Sequence, residues 1–489
     1  MKINPTLKQF GKLARKNNLI VLSHKFSAGN FTPLSVYYSL EKKIKGESFL
    51  LESVEGESKV CRYSFLGFDP IVVFKSKGRE IEVFRNKARK FTTKKDPCFE
   101  LKRITESFRV APKENLRFFG GFVGYLGYDT VRFYEPVGKP LKDSLNTYDT
   151  YFILPKFLII FDHFRLEIEI LSFVPVRGVA SAVKIYQREK VKLQDLYRKI
   201  IDPLTLPKLE TRVSKNKVKS NFKKADFLAA VRKAKGYIQA GEIIQVVLSQ
   251  RFSAGFKGDP FSVYRRLRSL NPSPYMFYLN FAQVKVCGSS PEMLLRCEKD
   301  ILYTHPIAGT RKRGRDKIED KLLEKSLLAD PKEKAEHIML VDLARNDLGR
   351  VAKRASVGVA RFMKVERFSH VMHIVSEVRA KLKKEENIFS ALVSCFPAGT
   401  VSGAPKVRAM QIINELEPEK RGIYAGSVGY FSFTNSLDTG IIIRTILFKG
   451  KKAYIQAGAG IVADSVPARE YKETVNKAKA QMIALGLTI

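Results

Sequence analysis

Carboxylates, a guanidinium and an imidazole in the C-terminal half have the types and spacing to do chemistry. Glu336 shares one face of a helical stretch, residues 334–348, with Leu340 and Leu343 at i+4 and i+7. A carboxylate on an apolar face must be paired, protonated or metal-bound, because a bare buried charge costs too much. A buried salt bridge is the ordinary alternative to a ligand role. Glu470 and Glu473 lie one turn apart on the last helical stretch, off its apolar stripe of Tyr471, Val475, Ala478 and Met482. Taken alone, Glu473 reads as a solvated partner of Lys477, worth only ~0.3–0.5 kcal/mol. If the two helices met, Glu336 and Glu473 would offer hard oxygen ligands for Mg²⁺, which keeps some waters and joins a substrate anion. Arg444 interrupts an apolar strand, residues 439–448, and a guanidinium there wants a carboxylate of the protein or of a substrate. His370 and His373 (H-x-x-H) have no third ligand at suitable spacing, so an acid or base role is favoured over zinc. Residues 456–460 (QAGAG) read as a turn whose N–H groups could cradle a carboxylate or phosphate. They lack the third glycine of a dinucleotide fingerprint, and residues 399–406 (GTVSGAPK) lack P-loop spacing.

An alternation of strands and helices must hold these groups. Apolar, β-branched runs bounded by Gly or Pro predict strands over 48–53, 64–68, 71–75 and 80–84. Residues 118–129 (FFGGFVGYLGYD) predict a tightly packed strand pair. Residues 202–224, with two Pro and many Lys, Ser and Asn, predict a solvated connection. Beyond it the pattern predicts a helix over 225–240, a buried strand over 243–248, a helix over 332–348, a glycine turn over 456–462 and a helix over 468–485. The chain thus divides into an N-terminal segment (1–200), a linker (201–224) and a C-terminal segment (225–489).

With 489 residues, 45% hydrophobic and 28% charged, the composition is globular rather than disordered. Lys and Arg number 87 against 49 Asp and Glu, a formal charge of +38. That excess points to anionic partners or to a basic proteome, and says nothing about fold. Basic residues are spread along the chain without an RNP, KH or finger motif, so no specific nucleic-acid binding is expected. The five Cys form no C-x-x-C pair, against a disulfide scaffold or a Cys-based zinc module. No apolar run approaches the ~18 residues of a membrane span, and the N-terminus lacks a signal-peptide core. The expected compartment is the cytoplasm, with an organelle stroma also open.

In order along the chain stand LLES (50–53), NPSPYMF (271–277), GSSPE (288–292), PIAGT (306–310), AEHIMLVDLARNDLGR (335–350), HVMH (370–373), FPAGTVSGAPK (396–406), QAGAG (456–460) and ETVNK (473–477). Together they resemble anthranilate synthase component I, the large subunit of the chorismate-utilising enzymes that begins tryptophan synthesis. The resemblance implies an α+β fold: a large chorismate-binding core of antiparallel sheets flanked by helices, with the N-terminal segment packed on it. It also implies the reaction. Chorismate, a dianionic enolpyruvyl cyclohexadiene, takes ammonia at C2 as its C4 hydroxyl leaves, giving 2-amino-2-deoxyisochorismate. Loss of pyruvate then yields anthranilate.

By the same resemblance Glu336 and Glu473 hold Mg²⁺, with Glu470 beside them. Gly309, Thr310, Tyr424, Arg444, Gly458, Ala459 and Gly460 hold the substrate carboxylates. Glu292 of SPE resembles the general acid for the C4 hydroxyl and would need burial to stay protonated. His373 resembles the histidine of the elimination half, and Gln245 and Thr310 are counted in the catalytic set. Ser53 with Pro274, Tyr275 and Met276 resembles a feedback site for L-tryptophan, ordinary packing of an N-terminal strand being the plain alternative. Isochorismate-forming relatives carry Lys where this chain has Gln245. The 4-amino-4-deoxychorismate synthases, the alternative reading, carry Lys where Ala308 stands. Both positions favour anthranilate. No G-x-C-x-G motif surrounds any Cys, so ammonia is expected from a separate glutamine amidotransferase subunit. Lys472 departs from the family, which commonly has an acidic residue there.

Overall fold

The computed structural model describes residues 1–54, 62–85, 87–111, 116–209, 217–367 and 371–487. His370 and Cys61 lie outside the described residues. Among the described residues, twenty-two strands join in one hydrogen-bonded network, and helices pack around it, so the class is α+β with every ladder between named strands antiparallel. Two long strands, Tyr63–Lys77 and Thr150–Asp162, pair along most of their length. The second is buried at nearly every position, as a strand covered on both faces must be. Residues 64–68 and 71–75 belong to one strand rather than two. Asp69 takes a φ of 53° and the register shifts between Pro70 and Val72, so the strand kinks instead of ending.

Residues 118–129 are not a strand pair. They form one strand, Gly121–Leu126, followed by a 3₁₀ turn, Tyr128–Phe133. The glycines serve neighbours rather than a hairpin: a Cβ on Gly124 would lie 1.9 Å from the Tyr151 carbonyl oxygen. The N-terminal segment shares the sheet of the C-terminal one. Ser48–Glu52 lies between Tyr63–Lys77 and Tyr275–Phe281, hydrogen-bonded to both. Between the segments, helix Ala182–Ile201 ends at the start of the connection, and Lys219–Ser220 pairs onto strand Gln245–Gly255 before helix Lys224–Gln239 begins.

Two helices bring the carboxylates of interest to the sheet. Pro331–Gly349 starts after Asp330, whose carboxylate accepts from the N–H groups of Lys332 and Glu333, with Pro in the first turn. It buries His337, Leu340, Val341 and Leu348. Pro467–Ala484 buries Thr474, Ala478, Gln481 and Met482 against strand Lys452–Ile461 and helix Lys224–Gln239. That strand corrects an expectation, because residues 456–462 are no turn. Lys452–Ile461 pairs residue by residue with Gln245–Gly255. Residues 439–448 are likewise two strands, Leu437–Ile441 and Thr445–Lys449, broken where Arg444 takes a φ of 52°. Among the described residues no helix is long and apolar enough to cross a membrane.

Candidate active site

One cleft of about 720 Å³ gathers most of the residues singled out above, a size suited to a small polar ligand. Its walls hold Gln245, Glu292, Gly309, Thr310, Glu336, His373, Tyr424, Arg444, Gly458, Gly460 and Glu473. The side chain of Ala459 points the other way, into a cluster with Val246, Leu248 and Ile461, so its backbone alone remains on the strand. Glu470 is outside the lining. It is on the same helix as Glu473, one turn earlier, with the Ser465 hydroxyl beside it, and burial raises its pKa.

The floor is strand Lys452–Ile461. Gly458 and Gly460 are small because side chains press on them: a Cβ on Gly458 would sit 2.9 Å from the Tyr424 hydroxyl, and one on Gly460 2.7 Å from Gln245 Nε2. The break in the neighbouring strand aims Arg444 into the cleft, where its Nη1 donates to the Lys477 carbonyl at 2.7 Å. Burial lowers the Arg444 pKa, partly offset by Tyr424, Glu473 and Glu292. Lys477 Nζ donates to the Gly458 carbonyl at 3.1 Å and pairs with Glu473 Oε1 at 2.6 Å. The solvated i,i+4 pair read from sequence therefore exists, yet it stands on the cleft wall.

Opposite, Gly309 has a φ of 71° at an irregularity in strand Ile307–Lys312. His373 Nδ1 is 2.9 Å from the Gly309 carbonyl and 3.0 Å from Thr310 Oγ1. A carbonyl can only accept, so Nδ1 carries the proton and the lone pair is on Nε2. Burial lowers the His373 pKa, which keeps the ring neutral and so able to accept a proton. Glu292 behaves in the opposite sense: burial raises its carboxyl to about 7, with the Thr400 hydroxyl, Lys477 and Arg444 pulling the other way. One group poised to give a proton and one poised to take it thus face the same space.

Glu336 is raised by burial and by the Glu333 carboxylate, Glu473 adding in the same direction, while Gln245 and Lys477 oppose. Carboxylates that repel one another on the cleft lining fit a hard divalent cation, whose charge would relieve the repulsion left after Lys477 pairs with Glu473. Among the described residues no three His, Cys, Asp or Glu side chains close a cage. Such a cage is not needed for Mg²⁺, which commonly takes one or two carboxylates, waters and oxygens of its anionic substrate. Lys477, Thr400 and Glu333 were missed as site residues in the sequence. The first two lie in the strings ETVNK and FPAGT, but nothing in residue type or period marks them as cleft-facing.

Ser53, Pro274, Tyr275 and Met276 line a second, smaller cavity together with Glu52, Arg117 and Asp438. Tyr275 donates to Asp438 at 2.8 Å. Pro274 lines both this cavity and the large cleft.

The fold is that of the chorismate-utilising enzymes, and a family model described as chorismate binding enzyme matches residues 47–483. The chain is 48% identical over 491 residues to anthranilate synthase component 1 of Aquifex aeolicus (strain VF5), covering 100% of this chain and 99% of the relative. It is 46% identical to that of Acetivibrio thermocellus, with 98% of each covered. The crystal structure of anthranilate synthase component I from Streptococcus pneumoniae TIGR4 superposes with a TM-score of 0.77 at 36% identity, over 93% of this chain and 98% of that one. The menaquinone-specific isochorismate synthase of Escherichia coli shares the fold, with a TM-score of 0.74 at 20% identity over 98% of each chain. The chain belongs to the anthranilate synthase component I family.

Proposed function

We propose that the chain converts chorismate and ammonia to anthranilate and pyruvate, opening L-tryptophan synthesis in the cytoplasm or an organelle stroma. The observation that carries this is the convergence on one cleft of a raised carboxyl (Glu292), a lowered imidazole (His373) and a binding surface of Arg444, Lys477, Tyr424 and Gly458–Gly460. Arg444 and the backbone floor orient the two carboxylates of the substrate. Glu292 donates its proton to the departing C4 hydroxyl while ammonia adds at C2. His373 then removes the ring proton as pyruvate leaves. Holding donor, acceptor and substrate in one geometry supplies the entropic part of the rate enhancement. Mg²⁺, held by Glu336 and Glu473 with Glu470 behind them, would supply positive charge for a substrate carboxylate.

Gln245 cannot act as a base toward water, and Ala308, whose side chain borders the same cleft, cannot attack C2. Gln245 counts against water as the nucleophile, Ala308 counts against 4-amino-4-deoxychorismate synthesis, and both favour anthranilate. Ammonia would come from a glutamine amidotransferase subunit, and L-tryptophan would bind in the smaller cavity as inhibitor. The test mixes the chain with chorismate, MgCl₂ and an ammonium salt at alkaline pH and follows anthranilate fluorescence. Product that requires both the metal and ammonium supports the reading; 4-amino-4-deoxychorismate or isochorismate in its place overturns it. Ala308→Lys should weaken anthranilate formation, and unchanged turnover would refute the role given to that position.

A further inference from the structure

Strand Gln245–Gly255 has a gap along the edge that faces away from strand Lys452–Ile461. On that edge it pairs with Gly403–Ala404 at Gln245 and Val246, and with Lys219–Ser220 at Phe252 and Ser253. Between these pairings, among the described residues, no strand takes the Val247 carbonyl or the Ser249 N–H. An ion pair does so instead. Arg421 Nη2 donates to the Val247 carbonyl at 2.6 Å, and Glu417 Oε1 accepts from the Ser249 N–H at 2.8 Å. Arg421 and Glu417 are 2% and 4% exposed and share two hydrogen bonds, Nε to Oε2 at 3.0 Å and Nη2 to Oε1 at 2.6 Å. Arg421 Nη1 donates to the Val401 carbonyl at 2.7 Å, and the guanidinium carbon lies 5.6 Å from the centre of the Tyr424 ring. Val247, Val401 and Tyr424 all line the cleft. A buried ion pair is weak evidence for stability, because apolar side chains of the same volume often serve as well. Apolar side chains cannot, however, set the directions of hydrogen bonds.

Those directions reach the cleft floor through Ser249. Its hydroxyl donates to Glu417 Oε1 at 2.8 Å. A carboxylate can only accept, so the one O–H bond of Ser249 is committed there. Toward Gln456 the same hydroxyl can then only accept, and Gln456 Nε2 donates to it at 2.9 Å. The carboxamide is thereby fixed end for end, with Nε2 toward Ser249. Gln456 Oε1 is buried and has no hydrogen-bond partner among the described residues, so the Ser249 bond is the one that orients the group. Ser249 stands opposite Gly458 in the ladder, which makes Gln456 its diagonal neighbour. Gln456 is also the one polar side chain that strand Lys452–Ile461 presents to the cleft. We propose that Ser249 and the Glu417–Arg421 pair are positioning residues for the substrate: they fix the Gln456 carboxamide and the Tyr424 ring, so that the floor meets chorismate already in its bound arrangement.

The inference rests on the reading of this cleft as the chorismate site. A floor group free to turn must be ordered when substrate binds, and that cost weakens binding; a group ordered beforehand carries none. Ser249, Glu417 and Arg421 are outside the cleft lining and act through residues that belong to it. No covalent bond changes in this role.

The experiment compares Ser249→Ala, Gln456→Met, their double variant and Arg421→Lys with the unaltered chain under chorismate, MgCl₂ and ammonium. It reads kcat, the KM for chorismate, Tm, and the rise in Tm that chorismate produces without ammonium. Ser249→Ala keeps its N–H and loses one hydroxyl. Its KM should rise about fivefold with kcat within twofold, and the chorismate-induced rise in Tm should shrink. Gln456→Met keeps the length of the side chain and cuts the same bond from the cleft side, so it should do the same and covers the case in which Ser249→Ala fails to fold. The double variant should be no worse than either single one, because both remove one interaction. A merely structural Ser249 gives another pattern, a lower Tm with KM effects that multiply in the double variant. Arg421→Lys keeps the charge beside Glu417 and loses the fork, so kcat/KM should fall at least tenfold. Unchanged KM in a folded Ser249→Ala or in Gln456→Met, or multiplied effects in the double variant, overturns the proposal. If the unaltered chain neither binds nor converts chorismate, the functional reading falls instead. An active unaltered chain beside normal variants removes only the positioning role.

Discussion

Lys477 bridges Glu473 and the cleft floor, with its ammonium 2.6 Å from Glu473 Oε1 and 3.1 Å from the Gly458 carbonyl. The pair joins helix Pro467–Ala484 to strand Lys452–Ile461 at the place where a substrate carboxylate would lie. On the proposed reading Lys477 would thus answer to two anions, Glu473 of the protein and a carboxylate of the ligand. Lys477→Met should raise the KM for chorismate about tenfold, equivalent to ~1.4 kcal/mol, with a smaller effect on kcat. Steady-state kinetics at saturating ammonium checks this, and an unchanged KM would take Lys477 out of the binding surface.

Glu292 gives a prediction with a sign. Its folded value of about 7 stands above its ordinary 4.5, so between those values the folded chain keeps a proton that the unfolded chain has released. Raising pH through that window must therefore cost stability at this residue. Glu292→Gln carries no charge and escapes the cost. Its Tm relative to the unaltered chain should be higher at pH 8 than at pH 5, while turnover falls by roughly 10²–10⁴, the usual worth of a general acid. A Tm difference that does not move with pH would contradict the burial argument.

Gly458→Ala tests the floor. The added methyl would sit 2.9 Å from both the Tyr424 hydroxyl and Val247 Cγ1, and 3.0 Å from the Leu248 carbonyl. Something must shift, at ~1–3 kcal/mol for an overpacked site. We expect kcat/KM to fall at least tenfold with Tm reduced by only a few degrees. Normal kinetics would mean that the floor is not a contact surface.

The same glycines show what the sequence could and could not yield. The two carboxylate helices were legible from apolar spacing, and their observed ends, Pro331–Gly349 and Pro467–Ala484, fall close to expectation because a Pro marks where each starts, with the Asp330 cap added on the first. The strand through QAGAG was not. Glycine normally signals a turn, and here its lack of a side chain instead admits Tyr424 and Gln245 from other elements. Such long-range crowding leaves no local periodicity to read. Arg444 was legible as an anomaly in an apolar run, but the break in the strand that turns it into the cleft was not. The motif strings supplied the membership of the site. The bonds of Lys477 required coordinates.

Inhibition by L-tryptophan can be tested at the smaller cavity. Ser53→Leu adds bulk beside Tyr275 and Met276 without touching the cleft residues. Ammonia-dependent turnover should stay within twofold, while the tryptophan concentration for half inhibition rises at least tenfold. If saturating tryptophan leaves the unaltered chain at full rate, the cavity has no such role.

Pro274 is a partition common to two chambers. If tryptophan binds the smaller cavity as proposed, its occupant would lean on the same stiff ring that bounds the cleft, and neither guest would be indifferent to its neighbour. Thermodynamic reciprocity would then fix the bargain: whatever factor the end product takes from the affinity for starting material, the starting material would take back from the end product. A cell flooded with precursor would, on this architecture, loosen its own brake.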